Sequence, residues 1–387
     1  MPAKILVVDD DSVTLAWLKA VLEREGYAVS TATRGAAALE QIARDKPDLV
    51  VLDRMLPDID GLEILRRLRQ DPATRDLWVV FLSVKDRPED IVSGLRSGAD
   101  DYVPKRPGAD VELSSKIRGL LAMDRRPPAA SLPAPTLAAG GKIFSFCSAK
   151  GGAGTTSVCV NICYALAQQD PRADVLLVDM VFPTGTVGQS IGYESRNTVA
   201  RFTQQVKGKP DRATVEKYVS PVLRWGFRVL LGASDPQEAT TLDVSQIVPL
   251  FDTLRTMYDY IFVDFGRNLS RISLPIIQAS HNIVIILTSD INTVKMTRLT
   301  LDYLESLGVS KNQLILINNR TIGRAWISKE ETESALKLPL SGTIPNEAEY
   351  MTMAINAAVP FVAKFPENAA SLMFADFARL LRERAGK

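Results

Sequence analysis

Histidine occurs once in the 387 residues, at His281, and cysteine three times, at Cys147, Cys159 and Cys163. A serine–histidine triad would have to rest on His281, and no nucleophile-elbow pattern accompanies it. An odd cysteine count without C-x-x-C spacing argues against a disulfide framework or a zinc ribbon. Cys159 and Cys163, four apart on an expected helix, are either a metal pair or two small buried hydrophobes. His281 precedes the apolar run Ile283 to Leu287 and reads as a strand-edge residue. No apolar run approaches the length that spans a bilayer, and the N-terminus enters a strand-like run, Ile5 to Val8, without a signal peptide. A reducing, cytoplasmic setting is expected, with polar or membrane association made through partners. A dominant charge is also missing. The first 123 residues carry 18 basic and 21 acidic side chains and the remainder 28 and 24, so neither part reads as an obligate polyanion binder.

The length suffices for two domains with separate cores, and 46% hydrophobic with 24% charged residues is ordinary globular composition. In residues 1–123, apolar runs at Ile5 to Val8, Leu49 to Leu52 and Val79 to Leu82 alternate with amphipathic stretches at Ser12 to Glu25, Gly61 to Gln70 and Val111 to Met123. The alternation predicts a parallel sheet covered by helices on both faces, with ligands at the carboxyl ends of the strands. Asp9 and Asp10 follow the Ile5 to Val8 run and Asp53 the Leu49 to Leu52 run, while Ser83 and Lys105 also fall at predicted strand ends. Clustered carboxylates repel unless a cation is present, and hard oxygen donors suit Mg²⁺. Alternatively, Asp9 to Asp11 are a solvated helix N-terminus, favourable with the helix dipole.

Taken together, ILVVDDD, LVVLDRMLPDIDG, FLS and GADDYVPK resemble a response-regulator receiver domain of the CheY type over essentially all of residues 1–123. The resemblance implies that Asp9 and Asp10 hold Mg²⁺, with a backbone carbonyl from Met55, and that Asp53 accepts a phosphoryl group from a histidine kinase or phosphotransfer protein. Ser83 would hydrogen-bond that group, Lys105 would pair with it, and Tyr102 would be the aromatic switch residue. One departure is Arg106 after the lysine, where the family usually has proline; here the prolines stand at 104 and 107.

Residues 124–141, DRRPPAASLPAPTLAAGG, contain four prolines and read as a semi-extended linker. A second alternating pattern then fills residues 142–387, with apolar runs at Lys142 to Cys147, Val175 to Val178, Arg228 to Leu231, Tyr260 to Val263, Ile283 to Leu287 and Leu314 to Ile317. The expected fold class is therefore α/β throughout, as two doubly wound parallel-sheet domains. Phe144 to Thr156, FSFCSAKGGAGTT, reads as strand, glycine-rich turn and helix, the geometry in which backbone N–H groups cradle a phosphate. The usual pattern ends Gly-Lys-Ser/Thr, but Gly154 is followed by Thr155 and Thr156, and the nearby lysine is Lys150. Asp179 and Asp264 end apolar runs, and an aspartate there supports a Mg²⁺ shell in which Thr156 is the hydroxyl ligand.

With VLLVDMVFPTG, YDYIFVDFG, LINNR and GTIPNEAEYMTMAINAAVP, this part resembles the MinD/ParA class of deviant Walker ATPases, and within it the CpaE/TadZ group of pilus-assembly proteins. The resemblance implies an ATP-sandwich homodimer with Mg²⁺. Lys150 would be the signature lysine reaching the partner's nucleotide, Gly151, Gly152, Ala153, Gly154, Thr155 and Thr156 would wrap the phosphates, and Asp264 would be the Walker B residue. Asn319 would read the adenine edge, flanked by Pro345 and Asn346. Thr155 replaces the P-loop lysine, and Val181 stands where MinD-type proteins carry a second acidic switch residue after Asp179, so hydrolysis is expected to be slow or absent. The implied role is a regulatory, localising ATP-binding protein of Tad/Flp pilus assembly that contacts the pilus secretion machinery. The alternative is an active ParA/MinD-type ATPase that patterns DNA or membrane. A transcriptional output is not supported, because no helix-turn-helix follows the linker, and specific DNA binding is not expected. The stretch Ser371 to Lys387 is either a membrane-surface helix or the last helix of the fold, and the second reading is preferred.

Overall fold

In the computed structural model, the described residues are 2–84, 97–105, 108–121, 140–239, 241–267, 273–320 and 327–386. Arg106, Pro107 and all but the last two residues of the expected linker lie outside them. The chain forms two compact units, each with its own sheet.

The first unit carries five parallel strands in the order β2-β1-β3-β4-β5: β1 Lys4–Val8, β2 Ala28–Ala32, β3 Leu49–Leu52, β4 Trp78–Ser83 and β5 Asp101–Pro104. β3, β4 and β5 are buried along their whole length, as expected of parallel strands covered on both faces. Helices Ser12–Arg24, Gly35–Asp45, Gly61–Gln70 and Ala109–Leu121 flank them. β2 and helix Gly35–Asp45 were not foreseen. β2 is an edge strand, AVSTA, only partly buried, and it lacks the continuous apolar run that marks its neighbours. The Ser12–Arg24 helix starts at Asp11, whose carboxylate accepts from the N–H groups of Val13 and Thr14 and serves as N-cap.

The second unit holds eight strands in the order β13-β12-β11-β6-β10-β7-β9-β8. They are β6 Lys142–Ser148, β7 Val175–Asp179, β8 Ser220–Val222, β9 Phe227–Leu230, β10 Tyr260–Asp264, β11 Asn282–Leu287, β12 Leu314–Asn319 and β13 Gly342–Ile344. All pairs are parallel except β8 with β9. The short edge strands β8 and β13 carry too few apolar residues to be read from sequence. Phe262 lies between Phe144 and Phe146, with ring centroids 5.3 and 5.7 Å away, and all three side chains are fully buried. Each contributes roughly 1.5–3 kcal/mol by leaving water. Their strands β6 and β10 thereby hold the centre of the sheet, where the glycine-rich loop begins.

Gly140 and Gly141 pack against this unit. The Gly141 N–H donates to the Arg255 carbonyl at 2.7 Å, and a Cβ on Gly141 would lie 1.8 Å from the Tyr258 carbonyl oxygen. The final helix, Ala369–Ala385, buries Phe374, Phe377 and Leu381 in the same core as the Thr155–Gln169 helix. Its apolar face is thus used inside the fold, as the preferred reading has it; Leu372 remains 61% exposed. Among the described residues, no helix is long and apolar enough to cross a membrane.

Candidate functional site

Parallel strands bring their carboxyl ends to one edge, and in the first unit that edge gathers Asp9, Asp53, Ser83 and Lys105. The Lys105 Nζ lies 2.6 Å from Asp9 Oδ2 and 2.5 Å from Asp53 Oδ2. Asp9 Oδ1 accepts from the Asp11 N–H at 3.0 Å, and Asp53 Oδ1 from the Met55 N–H at 3.1 Å. Asp9 and Asp53 are buried, whereas Asp10 is exposed. Burial raises the Asp9 pKa, and the Lys105 and Asp11 hydrogen bonds only partly offset it. Burial alone would lower the Lys105 pKa, yet hydrogen bonds and charge from Asp53 and Asp9 leave it raised. Ser83 is fully buried, and its carbonyl accepts from the Lys105 N–H at 2.9 Å, which ties the lysine to β4. Tyr102 is buried, its ring 5.8 Å from Phe81.

Carboxylate oxygens of Asp9, Asp10 and Asp53 approach within 4.8 Å of one another. Three hard anionic donors at this spacing fit a small divalent cation such as Mg²⁺. The two sequence readings of the aspartate run therefore divide by residue: Asp11 caps the helix, and Asp9 and Asp10 face Asp53. Gly61, not singled out from sequence, closes the loop after Asp53, since a Cβ there would lie 2.4 Å from the Asp53 carbonyl oxygen.

In the second unit, the loop from Ser148 to Gly154 leaves β6 and leads into the Thr155–Gln169 helix. Gly152 and Gly154 adopt φ of +81° and +83°, which L side chains rarely adopt. Ser148 anchors the loop: its N–H donates to the Gly266 carbonyl at 2.8 Å, and its Oγ donates to the Lys150 carbonyl at 2.9 Å. Gly151 and Gly152 are exposed, Ala153 and Thr155 are buried, and Thr156 is partly buried beside Asp264. The Asn319 side-chain amide, at the end of β12, donates to the Ala153 carbonyl at 2.8 Å and so braces the loop. β13 pairs Ile344 with Asn319, so Pro345 and Asn346 emerge beside it. Lys150 is half-exposed, with its Nζ 3.6 Å from Asp290 Oδ1.

Asp179 and Asp264 end neighbouring strands and are buried. Asp179 accepts from the Val181 and Val187 N–H groups at 3.0 and 3.3 Å. Gly185 lets the intervening loop close over that carboxylate, because a Cβ there would stand 2.0 Å from Asp179 Oδ2. Asp264 Oδ1 accepts from the Gly266 N–H at 3.0 Å, while Oδ2 is buried without a hydrogen-bond partner. Burial raises both pKa values, and the charge of Asp264 raises that of Asp179 further. An orphaned buried carboxylate oxygen beside a hydroxyl at a helix N-terminus fits a Mg²⁺–phosphate group.

The cysteines resolve as hydrophobes. All three are fully buried, and burial raises every thiol pKa, that of Cys147 to about 12. His281 stands just before β11. Its Nδ1 accepts from the Ile143 N–H at 3.2 Å, and burial with nearby Lys142 and Arg255 lowers its pKa to about 4. Gly185 and Asp290 escaped the sequence reading: Asp290 lies outside the motifs, and Gly185, the last residue of VLLVDMVFPTG, carried no sign there of its close approach to Asp179.

Residues 5–118 match the family model of the response regulator receiver domain, and residues 141–315 that of the AAA domain. The response regulator MprA of Mycolicibacterium vanbaalenii is 47% identical over 121 residues, 31% of this chain and 51% of that protein. The chain spans about half or less of the length of the curated relatives it matches. A ParA family ATPase from Chlorobium tepidum superposes with a TM-score of 0.56 at 20% identity, covering 62% of this chain and 98% of that one. MinD from Pyrococcus horikoshii, solved with Mg-ADP, gives 0.56 at 21% identity, covering 64% and 98%. The chain thus carries a receiver domain followed by an AAA domain with the MinD/ParA-like P-loop fold.

Proposed function

We propose that this chain is a regulatory, nucleotide-responsive protein in which phosphorylation at Asp53 acts on a MinD/ParA-like domain that dimerises on ATP. The carrying observation is the pairing of two sites in one chain: the Asp9–Asp53–Lys105 cluster, and a phosphate loop beside a buried, unpartnered Asp264 oxygen. In the first, a carboxylate oxygen of Asp53 attacks the phosphorus of a phosphohistidine; the P–N bond breaks and its electron pair stays on the imidazole nitrogen. Lys105 offsets the charge that remains, and Ser83 lies within the same strand-end cluster. Mg²⁺, when bound by Asp9, Asp10, Asp53 and the Met55 carbonyl, supplies further positive charge.

In the second site, Gly151 to Thr156 would hold the phosphates, Thr156 and Asp264 would hold Mg²⁺, and Asn319, Pro345 and Asn346 would lie by the base. Hydrolysis is slow in this reading, because Thr155 brings no charge where a P-loop lysine would act. Losing one preorganised donor costs about 3 kcal/mol, or roughly a hundredfold in rate. Lys150 would reach the nucleotide of the partner subunit. The order of the two domains supports a place in the CpaE/TadZ group, with residues 124–141 as linker and a localising role in Tad/Flp pilus assembly. Mass in solution, measured with and without ATP–Mg²⁺ and again after treatment with acetyl phosphate, tests the reading. A monomer under every condition would sink it. Salt-sensitive DNA binding with ATP, or ATP-dependent binding to liposomes, would favour the patterning ATPase instead.

A further inference from the structure

A phosphate loop without its lysine must find charge for the terminal phosphate elsewhere. Lys150 and Arg267 both border the loop. Lys150 lies on one side of the loop, with its Nζ 3.6 Å from Asp290 Oδ1. Arg267 approaches from the other partner of the loop, the turn that follows β10. A Cβ placed on Gly151 would lie 3.7 Å from Arg267 Cδ and 3.8 Å from its Nη1. Because Gly151 has no side chain, nothing from that residue fills the space beside the Arg267 side chain.

The turn that carries Arg267 is tied to the loop at its root. The Gly266 carbonyl accepts from the Ser148 N–H at 2.8 Å and from Ser148 Oγ at 3.3 Å, while the Gly266 N–H donates to Asp264 Oδ1. Gly266 itself sits at φ +58°, which turns the chain sharply from the buried Asp264 to the exposed Arg267. One short segment thus carries the proposed metal ligand and, three residues later, a cation at the rim of the cradle.

We propose that Arg267 contacts the terminal phosphate of the bound nucleoside triphosphate from within the same subunit, supplying the charge that a lysine at position 155 would otherwise supply. This rests on the reading of the second unit as a nucleotide-binding domain. A guanidinium suits the task, since its fixed fork of N–H donors matches two phosphate oxygens and its charge persists at every relevant pH. The assignment makes Arg267 a residue that separates triphosphate from diphosphate, whereas the backbone cradle serves both.

Titration of the full chain with fluorescent ATP and ADP analogues tests this. Arg267→Gln should weaken ATP binding on the order of tenfold to a hundredfold, as expected for a charge-assisted hydrogen bond, and ADP binding far less. Arg267→Lys should fall between that variant and the parent. Adding Thr155→Lys to Arg267→Gln should restore ATP affinity, because the charge returns from the other side of the loop. Unchanged ATP affinity in Arg267→Gln, or equal losses for ATP and ADP, overturns the assignment while leaving nucleotide binding intact. A parent chain that binds neither nucleotide overturns the domain reading itself, and this assignment with it. A thermal melt matching the parent shows that the variant has not simply unfolded.

Discussion

Asp179 and Asp264 face each other in register at the ends of β7 and β10, both buried, and no cationic side chain stands at position 155 between the loop and this pair. Two carboxylates removed from water and set side by side resist ionisation. The domain therefore holds protons here that an unfolded chain would release.

The sign of the pH dependence follows. A carboxyl whose folded pKa is raised contributes stability below the unfolded value near 4, and that contribution is lost as pH rises through the folded value. Asp264→Asn keeps the shape and removes the charge. Its nucleotide-free unfolding free energy should exceed the parent's at pH 8, by on the order of 1 kcal/mol per unit of raised pKa. The two should converge near pH 4. Chemical denaturation across that range checks it, and stabilisation by ATP–Mg²⁺ should be reduced in the variant.

Asp53→Ala should lose labelling by radioactive acetyl phosphate; labelling equal to the parent would remove Asp53 as the acceptor. Lys105→Gln should bind Mg²⁺ several-fold more tightly, because Lys105 now occupies the oxygens of Asp9 and Asp53 that the ion would use. Its labelling should nevertheless be slower. Quenching of an intrinsic fluorophore by Mg²⁺ titration, together with the rate of labelling, separates the two effects.

Lys150→Ala should leave the melting temperature almost unchanged, since a half-exposed ion pair 3.6 Å long is worth under about 1 kcal/mol after solvent screening. ATP-dependent dimerisation should disappear in the same variant. A dimer that persists would restrict Lys150 to its own subunit.

Asn319→Ala distinguishes two roles. If the side chain reads the adenine edge, affinity for ATP should fall and preference over GTP should narrow. The 2.8 Å bond to the Ala153 carbonyl predicts something else: equal losses for ATP, ADP and GTP, because the brace under the loop is gone. Competition binding with the three nucleotides decides between them.

Much of the fold was legible because parallel strands buried on both faces are nearly unbroken apolar runs; β3, β4, β7 and β11 are examples. β2 was missed because AVSTA leaves residues at the surface, and β8 because SPV is three residues long with a proline. At the sites, motif residues announced which strand ends matter. Their partners did not appear, since partnership depends on loop geometry. Nothing in the sequence around Asp290 marks it as the neighbour of Lys150, and Arg267 enters only through its distance from Gly151. The oxygens of Asp179 accept the backbone N–H groups of Val181 and Val187, a use that spacing alone cannot disclose.

The central strand of the second sheet, β6, is the first of that sheet to leave the ribosome, and its two neighbours are not made until residues 260–264 and 282–287. At about 5–20 residues per second, the glycine-rich segment waits several seconds for the strands that will hold it. A nascent chain stalled before β10 would have Ser148 and Gly151 to Thr156 but neither of the strands that flank β6. A phosphate cradle at this loop would therefore be completed only late in synthesis.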